Sequence, residues 1–107
     1  MANNYKNAKV DLTDTNANVL YTAPSATTSL VKSILVSEDS GNADTITVTI
    51  TDATSVVFSI FKVKAIGANT TVELLTEPLV VQENEIIKVT AATANRLHVV
   101  ASLLEIS

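Results

Sequence analysis

The chain has 107 residues, 47% of them hydrophobic and only 4% aromatic, with two Gly, two Pro, no Cys and a formal charge of −4. A single domain of this size hides roughly two thirds of its unfolded surface without a covalent staple. No Cys and one His exclude disulfides, thiolate zinc sites, thiol nucleophiles and a multi-histidine centre, so no cofactor is expected, while the acidic balance argues against nucleic acid and anionic lipid as partners.

Val, Ile and Thr make up about a third of the residues and favour pleated strands over helices. The opening Met1 to Lys9 is polar, with no apolar stretch behind it, so it does not read as a signal peptide, and the expectation is a chain made and assembled in the cytoplasm or one whose signal has been removed. This stretch reads as an extended N-terminal arm, or as a frayed terminus running into a weak first strand over Tyr5 to Leu12. Thr13 to Asn16 is a turn, because short Asx and Thr side chains bond their own backbone. A strand over Asn18 to Thr22 ends at Ala23-Pro24-Ser25, where Pro cannot donate to a ladder. Ser29 to Ser37 is a strong strand, followed by the most polar loop, Glu38 to Asp44. Thr45 to Thr51 then alternates cleanly, with Ile46, Val48 and Ile50 on one face and four threonines on the other, the pattern of a half-buried antiparallel strand.

After the turn Asp52 to Ser55 come strands over Val56 to Ala65, Thr70 to Leu75, Leu79 to Val81, Ile86 to Ala91 and Arg96 to Ile106, separated by Ile66 to Asn69, Pro78, Gln82 to Glu85 and Thr93 to Asn95. About eight strands, with turn signals every 8 to 12 residues or so, predict one all-β domain over residues 1–107, an antiparallel β-sandwich or jelly roll. No apolar run approaches the ~20 residues that span a bilayer.

Three strands are apolar on both faces. In the last, Leu97, Val99, Ala101 and Leu103 are opposed by Val100, Leu104 and Ile106, which share their face with Arg96, His98 and Ser102. In Ser29 to Val36, Leu30, Ile34 and Val36 oppose Val31 and Leu35, and in Val56 to Val63, Phe58 and Ile60 oppose Val57 and Phe61. An antiparallel sheet of a monomer has one wet side. A second apolar face predicts cover by another subunit, and a β-bulge that switches the phase within the strand is the competing reading. On the first reading, Leu30, Ile34, Val36, His98, Val100, Leu104 and Ile106 are the candidate interface.

The signals for chemistry are thin. His98 has no Ser, Cys or Asp beside it in a nucleophile pattern and reads as an interface residue, and the two Phe read as core. Glu38, Asp39, Asn42 and Asp44 offer hard oxygens, yet their spacing fails the calcium-loop rule and a solvated hairpin loop is expected. Asn69-Thr70-Thr71 fits a glycosylation acceptor but reads as a strand start, and Glu73, Glu77, Glu83 and Glu85 read as an acidic surface. Neither a phosphate-cradling loop nor an aromatic stacking platform can be built from two Gly and four aromatics.

The stretch Tyr21 to Ser37, a polar loop and then Asp44 to Thr51, together with Phe61 to Val81, a turn and Ile86 to Ala91, resembles small virion proteins of tailed bacteriophages. Proteins of that group are compact β-sandwiches or jelly rolls that decorate or cement the capsid or form tail and fibre parts. The likeness covers most of the chain from Tyr21 onward and lies in strand and turn chemistry. One departure is Glu83-Asn84-Glu85, where Ala-Gly-Asp is frequent; Asn tolerates the left-handed conformation that Gly provides. The resemblance implies a capsid decoration or cement protein in the virion, a homo-oligomer and by analogy a trimer, with the major capsid protein as partner. A tail or fibre component and, from another class, a carbohydrate-binding module are the alternatives; the shortage of aromatics weighs against the latter.

Overall fold

The alternating apolar pattern is realised as strands throughout. The computed structural model describes residues 3–107 and contains β1 (Asn3–Asp11), β2 (Asn18–Thr22), β3 (Thr28–Glu38), β4 (Asp44–Thr51), β5 (Val57–Ile66), β6 (Thr71–Glu73), β7 (Leu79–Val81), β8 (Ile86–Ala91) and β9 (Leu97–Ile106). Among the described residues there is no helix. One sheet runs β1-β9-β3-β6 with β7 also on β3, the other β2-β8-β4-β5, and every pairing is antiparallel. The described residues thus form a β-sandwich of nine strands. β1 approaches β2 at one side and β3 approaches β5 at the other.

Residues 3–9 of the proposed arm are the edge strand β1, paired with β9 in an unbroken register from Asn3↔Ile106 to Asp11↔His98. Met1 and Ala2 lie outside the described residues. Leu12, fully buried, fixes the end of β1: its amide donates to the Leu97 carbonyl at 3.1 Å and its carbonyl accepts from Asn95 at 2.9 Å. Asn84 sits at φ 64, so the turn before β8 uses the left-handed conformation expected of it.

The core forms where the two inner faces meet. β9 contributes Leu97, Val99, Ala101 and Leu103, β4 contributes Ile46 and Val48, and β8 contributes Ile87 and Val89, all at most 2% exposed. β3 does not keep one phase. Val31 pairs with Leu103 and Ser33 with Ser102, so Lys32 is an extra residue, a β-bulge. Val31 therefore points inward before the bulge, and Ile34, Val36 and Glu38 point inward after it. β5 carries two bulges; the first, at Ile60, puts Phe58, opposite Ile50, and Phe61, opposite Val48, on the same inner side, and the second lies between Phe61 and Lys64. Phe61 packs on the core, but Phe58, at the far end of the edge strand, is 53% exposed and is not the core residue expected.

A buried polar seam closes one end between the sheets. The Tyr21 hydroxyl on β2 donates to Glu105 Oε2 on β9 at 2.5 Å and lies 2.6 Å from Ser29 Oγ on β3, and Lys6 Nζ on β1 reaches Glu105 Oε1 at 3.1 Å. Burial, reinforced by the hydrogen bond to Glu105, pushes the Tyr21 phenol up to about 12. The Tyr21 bond is the main influence holding the Glu105 carboxyl below its usual range; burial works against it and Lys6 assists. Tyr21→Phe is expected to cost about 2 kcal/mol, the scale of a hydrogen bond to a charged group, read from the urea midpoint. With the folded-state phenol raised, its contribution is complete below pH 10 and lost as pH rises through about 12. The Phe variant lacks that alkaline step.

Candidate docking face

The two sheets present different faces to solvent. On β4 and β8 the outward positions are Thr45, Thr47, Thr49, Thr51, Ile86, Lys88 and Thr90, a mainly hydroxyl-lined surface that Val19 of β2, beside Lys88, extends with an exposed apolar residue. On the other sheet β9 stays strictly alternating, so His98, Val100, Ser102, Leu104 and Ile106 all point outward. The pairing registers extend this stripe sideways: Tyr5, Leu104, Leu30 and Val80 stand in one row across four strands, and Val100 stands beside Leu35 in another. Tyr5, Val80, Leu35 and Val100 are exposed, while Leu30, Leu104 and Ile106 are half-buried by their neighbours. Lys32, carried out by the bulge, holds its ammonium 5.4 Å from the centre of the exposed Tyr5 ring, a cation–π arrangement.

Of the seven interface residues expected from sequence, Leu30, His98, Val100, Leu104 and Ile106 lie on this face. Ile34 and Val36 do not. Both are fully buried in the core, because the bulge at Lys32 reverses the phase of β3 between Leu30 and Ile34. The bulge thus accounts for the mixed pattern of β3, and the one at Ile60 for Phe58 and Phe61, whereas β9 has no bulge and presents apolar residues on both faces. Tyr5, Leu35 and Val80 complete the face and were missed. Tyr5 and Val80 join it only through strand pairing, which residue spacing within a strand does not encode, and Leu35 joins it because the bulge at Lys32 reverses the phase of the strand.

His98 stands at one end of the face between two carboxylates, Nε2 at 3.1 Å from Asp11 Oδ1 and Nδ1 at 3.5 Å from Asp39 Oδ2. Both ring nitrogens thus face acids, one from β1 and one from the β3–β4 loop. This exposed trio links the loop to the end of β9.

Glu38, read as the start of a solvated loop, is instead 2% exposed. Its Oε1 accepts from the amides of Gly41, Asn42 and Asn69 at 3.0, 3.1 and 3.1 Å, and its Oε2 accepts from Ser40 N at 2.8 Å and from the Ser40 hydroxyl. Asp44 Oδ2 accepts from Thr93 N at 3.0 Å. The loop's two inward carboxylates are therefore bonded to backbone amides, and among the described residues no three acidic or histidine side chains converge as a metal site. The surface hollows are open depressions of 220–400 Å³. The chain matches no protein-family model, and no curated protein matches it in sequence.

Proposed function

We propose that this protein is a virion structural protein of a tailed bacteriophage, a capsid decoration protein that binds the assembled head through the outer face of the β1-β9-β3 sheet and stabilises it. The observation that carries this reading is the continuous apolar row on the β1-β9-β3 sheet: Tyr5, Leu104, Leu30 and Val80 stand side by side across four strands, with Leu35 and Val100 in a second row. An apolar stripe across four strands fits a flat protein surface better than a small ligand. The likeness of its strand and turn sequences to small phage virion proteins supplies the kind of surface. A protein that binds only the closed shell stabilises it by mass action, and oligomerisation multiplies each weak contact into avidity.

The test is co-sedimentation with purified capsids stripped of this protein. The wild type is expected to pellet with capsids and to raise their melting temperature. Leu104→Glu places a charge in the middle of the stripe, where the fold tolerates it because the position faces outward. It is expected to keep its strand signal and to bind roughly 30-fold more weakly or worse, the effect of losing a central contact. A wild type that stays in the supernatant overturns the proposal, and one that pellets with isolated tails instead relocates it to the tail.

A further inference from the structure

The side of the sandwich where β5 ends one sheet and β6 and β7 end the other has features that the sheet face does not use. β5 is ten residues long and among the described residues pairs only with β4, so its outer edge carries no further strand there. Val57, Phe58 and Val63 on it are 59%, 53% and 60% exposed. Long apolar edges attract other chains, and folded proteins restrain them with bulges and lysines. β5 carries both, Lys62 and Lys64 beside the two bulges, and Val63 sits at φ 53, a left-handed conformation that a β-branched residue avoids. The bulges break the backbone edge, so a partner must be met through side chains and not by a continued ladder.

Charge then selects the partner. From Ala53 to Val72 there are two lysines and no carboxylate, and from Ala65 to Ile87 four glutamates and no basic residue. Glu73 and Glu77 of that acidic stretch lie on the same side as β5, where they and Lys64 line an open groove of about 400 Å³ with Phe61, Val72 and Leu75 in its walls. The side is therefore half basic and half acidic around an apolar strip.

We propose that a second copy of this chain docks along this side, related by a two-fold axis parallel to the strands, so that β5 of each copy meets the β6–β7 segment of the other. Two two-fold arrangements can set this side against itself. An axis normal to the sheets puts β5 on β5 and glutamates on glutamates. An axis along the strands exchanges the layers and puts Lys62 and Lys64 against Glu73 and Glu77 twice over. A three-fold ring needs two complementary surfaces turned in different directions, whereas these share one side, so the assembly is a dimer. The inference rests on the self-association in the proposed function and not on its capsid.

The test is solution mass by light scattering, with strand content checked by circular dichroism. The wild type is expected at twice 11.3 kDa. Lys62→Glu/Lys64→Glu makes the side wholly acidic and Thr76→Lys/Glu77→Lys makes it more basic, so each variant alone is expected as a monomer. Mixed in equal amounts they form a mixed dimer, because both halves of the contact are then complementary. A monomeric or trimeric wild type, a dimer that survives in either variant, or a mixture that stays monomeric overturns the inference. A dimer that ignores capsids leaves it standing and removes the proposed function; a capsid-binding protein that never dimerises does the reverse.

Discussion

Glu38→Gln is expected to lower the melting temperature at neutral pH by on the order of 10 °C, because amide and hydroxyl donors lose their acceptor. The carboxylate gathers five donors from two separate segments, residues 40–42 after β3 and Asn69 before β6. A glutamine has one acceptor oxygen and a donating amide nitrogen, so whichever way it turns, one set of inward-pointing donors faces another donor. Burial alone would raise this carboxyl; the Ser40 hydroxyl and the amides of Asn69, Ser40 and Gly41 outweigh it and hold the group at about 2. A carboxyl depressed in the folded state contributes its full stability above its ordinary value of 4.5 and loses it as pH falls through about 2. Melting curves from pH 7 to pH 2 are therefore expected to converge for wild type and variant at the acid end, the wild type falling and the variant flatter by one proton. Parallel curves would refute the role assigned to Glu38. The same loop carries Asp39 to His98 at the end of the outward face of β9.

How far the sequence could be read depended on whether a strand was regular. β4 and β9 keep a strict period of two from end to end, and every inward residue expected of Ile46, Val48, Leu97, Val99, Ala101 and Leu103 is in the core. The second face of β9 was legible for the same reason. β3 and β5 were not, because a bulge inserts a residue whose only mark is a change of parity, and a change of parity looks the same as two apolar faces. Lys32 is the trace of it: a long charged residue inside an apolar strand, carried outward at the irregularity. Glu38 illustrates a different limit. An acidic residue heading a polar loop reads as solvated, and only the closure of that loop against Asn69, 31 positions away, turns it into a buried acceptor. Val80 and Tyr5 reach the face through pairings with β3 and β9, which depend on the topology of the whole sandwich.

The phase of β3 carries the largest expected loss of stability and separates core from surface most sharply. Ile34→Ala is expected to cost about 3 kcal/mol, as a fully buried side chain leaves a cavity between the sheets. Leu35→Ala, one residue along and outward, is expected to cost under about 1 kcal/mol. Deletions make the contrast stronger. Removing Lys32 leaves Val31 opposite Leu103 and Ser33 opposite Ser102, so a regular strand remains with Val31, Ile34, Val36 and Glu38 still inward. That variant is expected to unfold cooperatively in urea, destabilised only by the lost twist and the lost contact with Tyr5. Removing Leu35 turns Val36 and Glu38 to solvent and Ser37 into the core, because the period of a strand is two. It is expected to show no folded baseline. If the Lys32 deletion also fails to fold, the bulge does more than set the phase, and the strand depends on its kink to reach both β7 and β6, which pair with β3 on either side of it. Equal costs for Ile34→Ala and Leu35→Ala would mean that both sides of β3 are covered in solution, placing the stripe beside Val100 inside an assembly already formed.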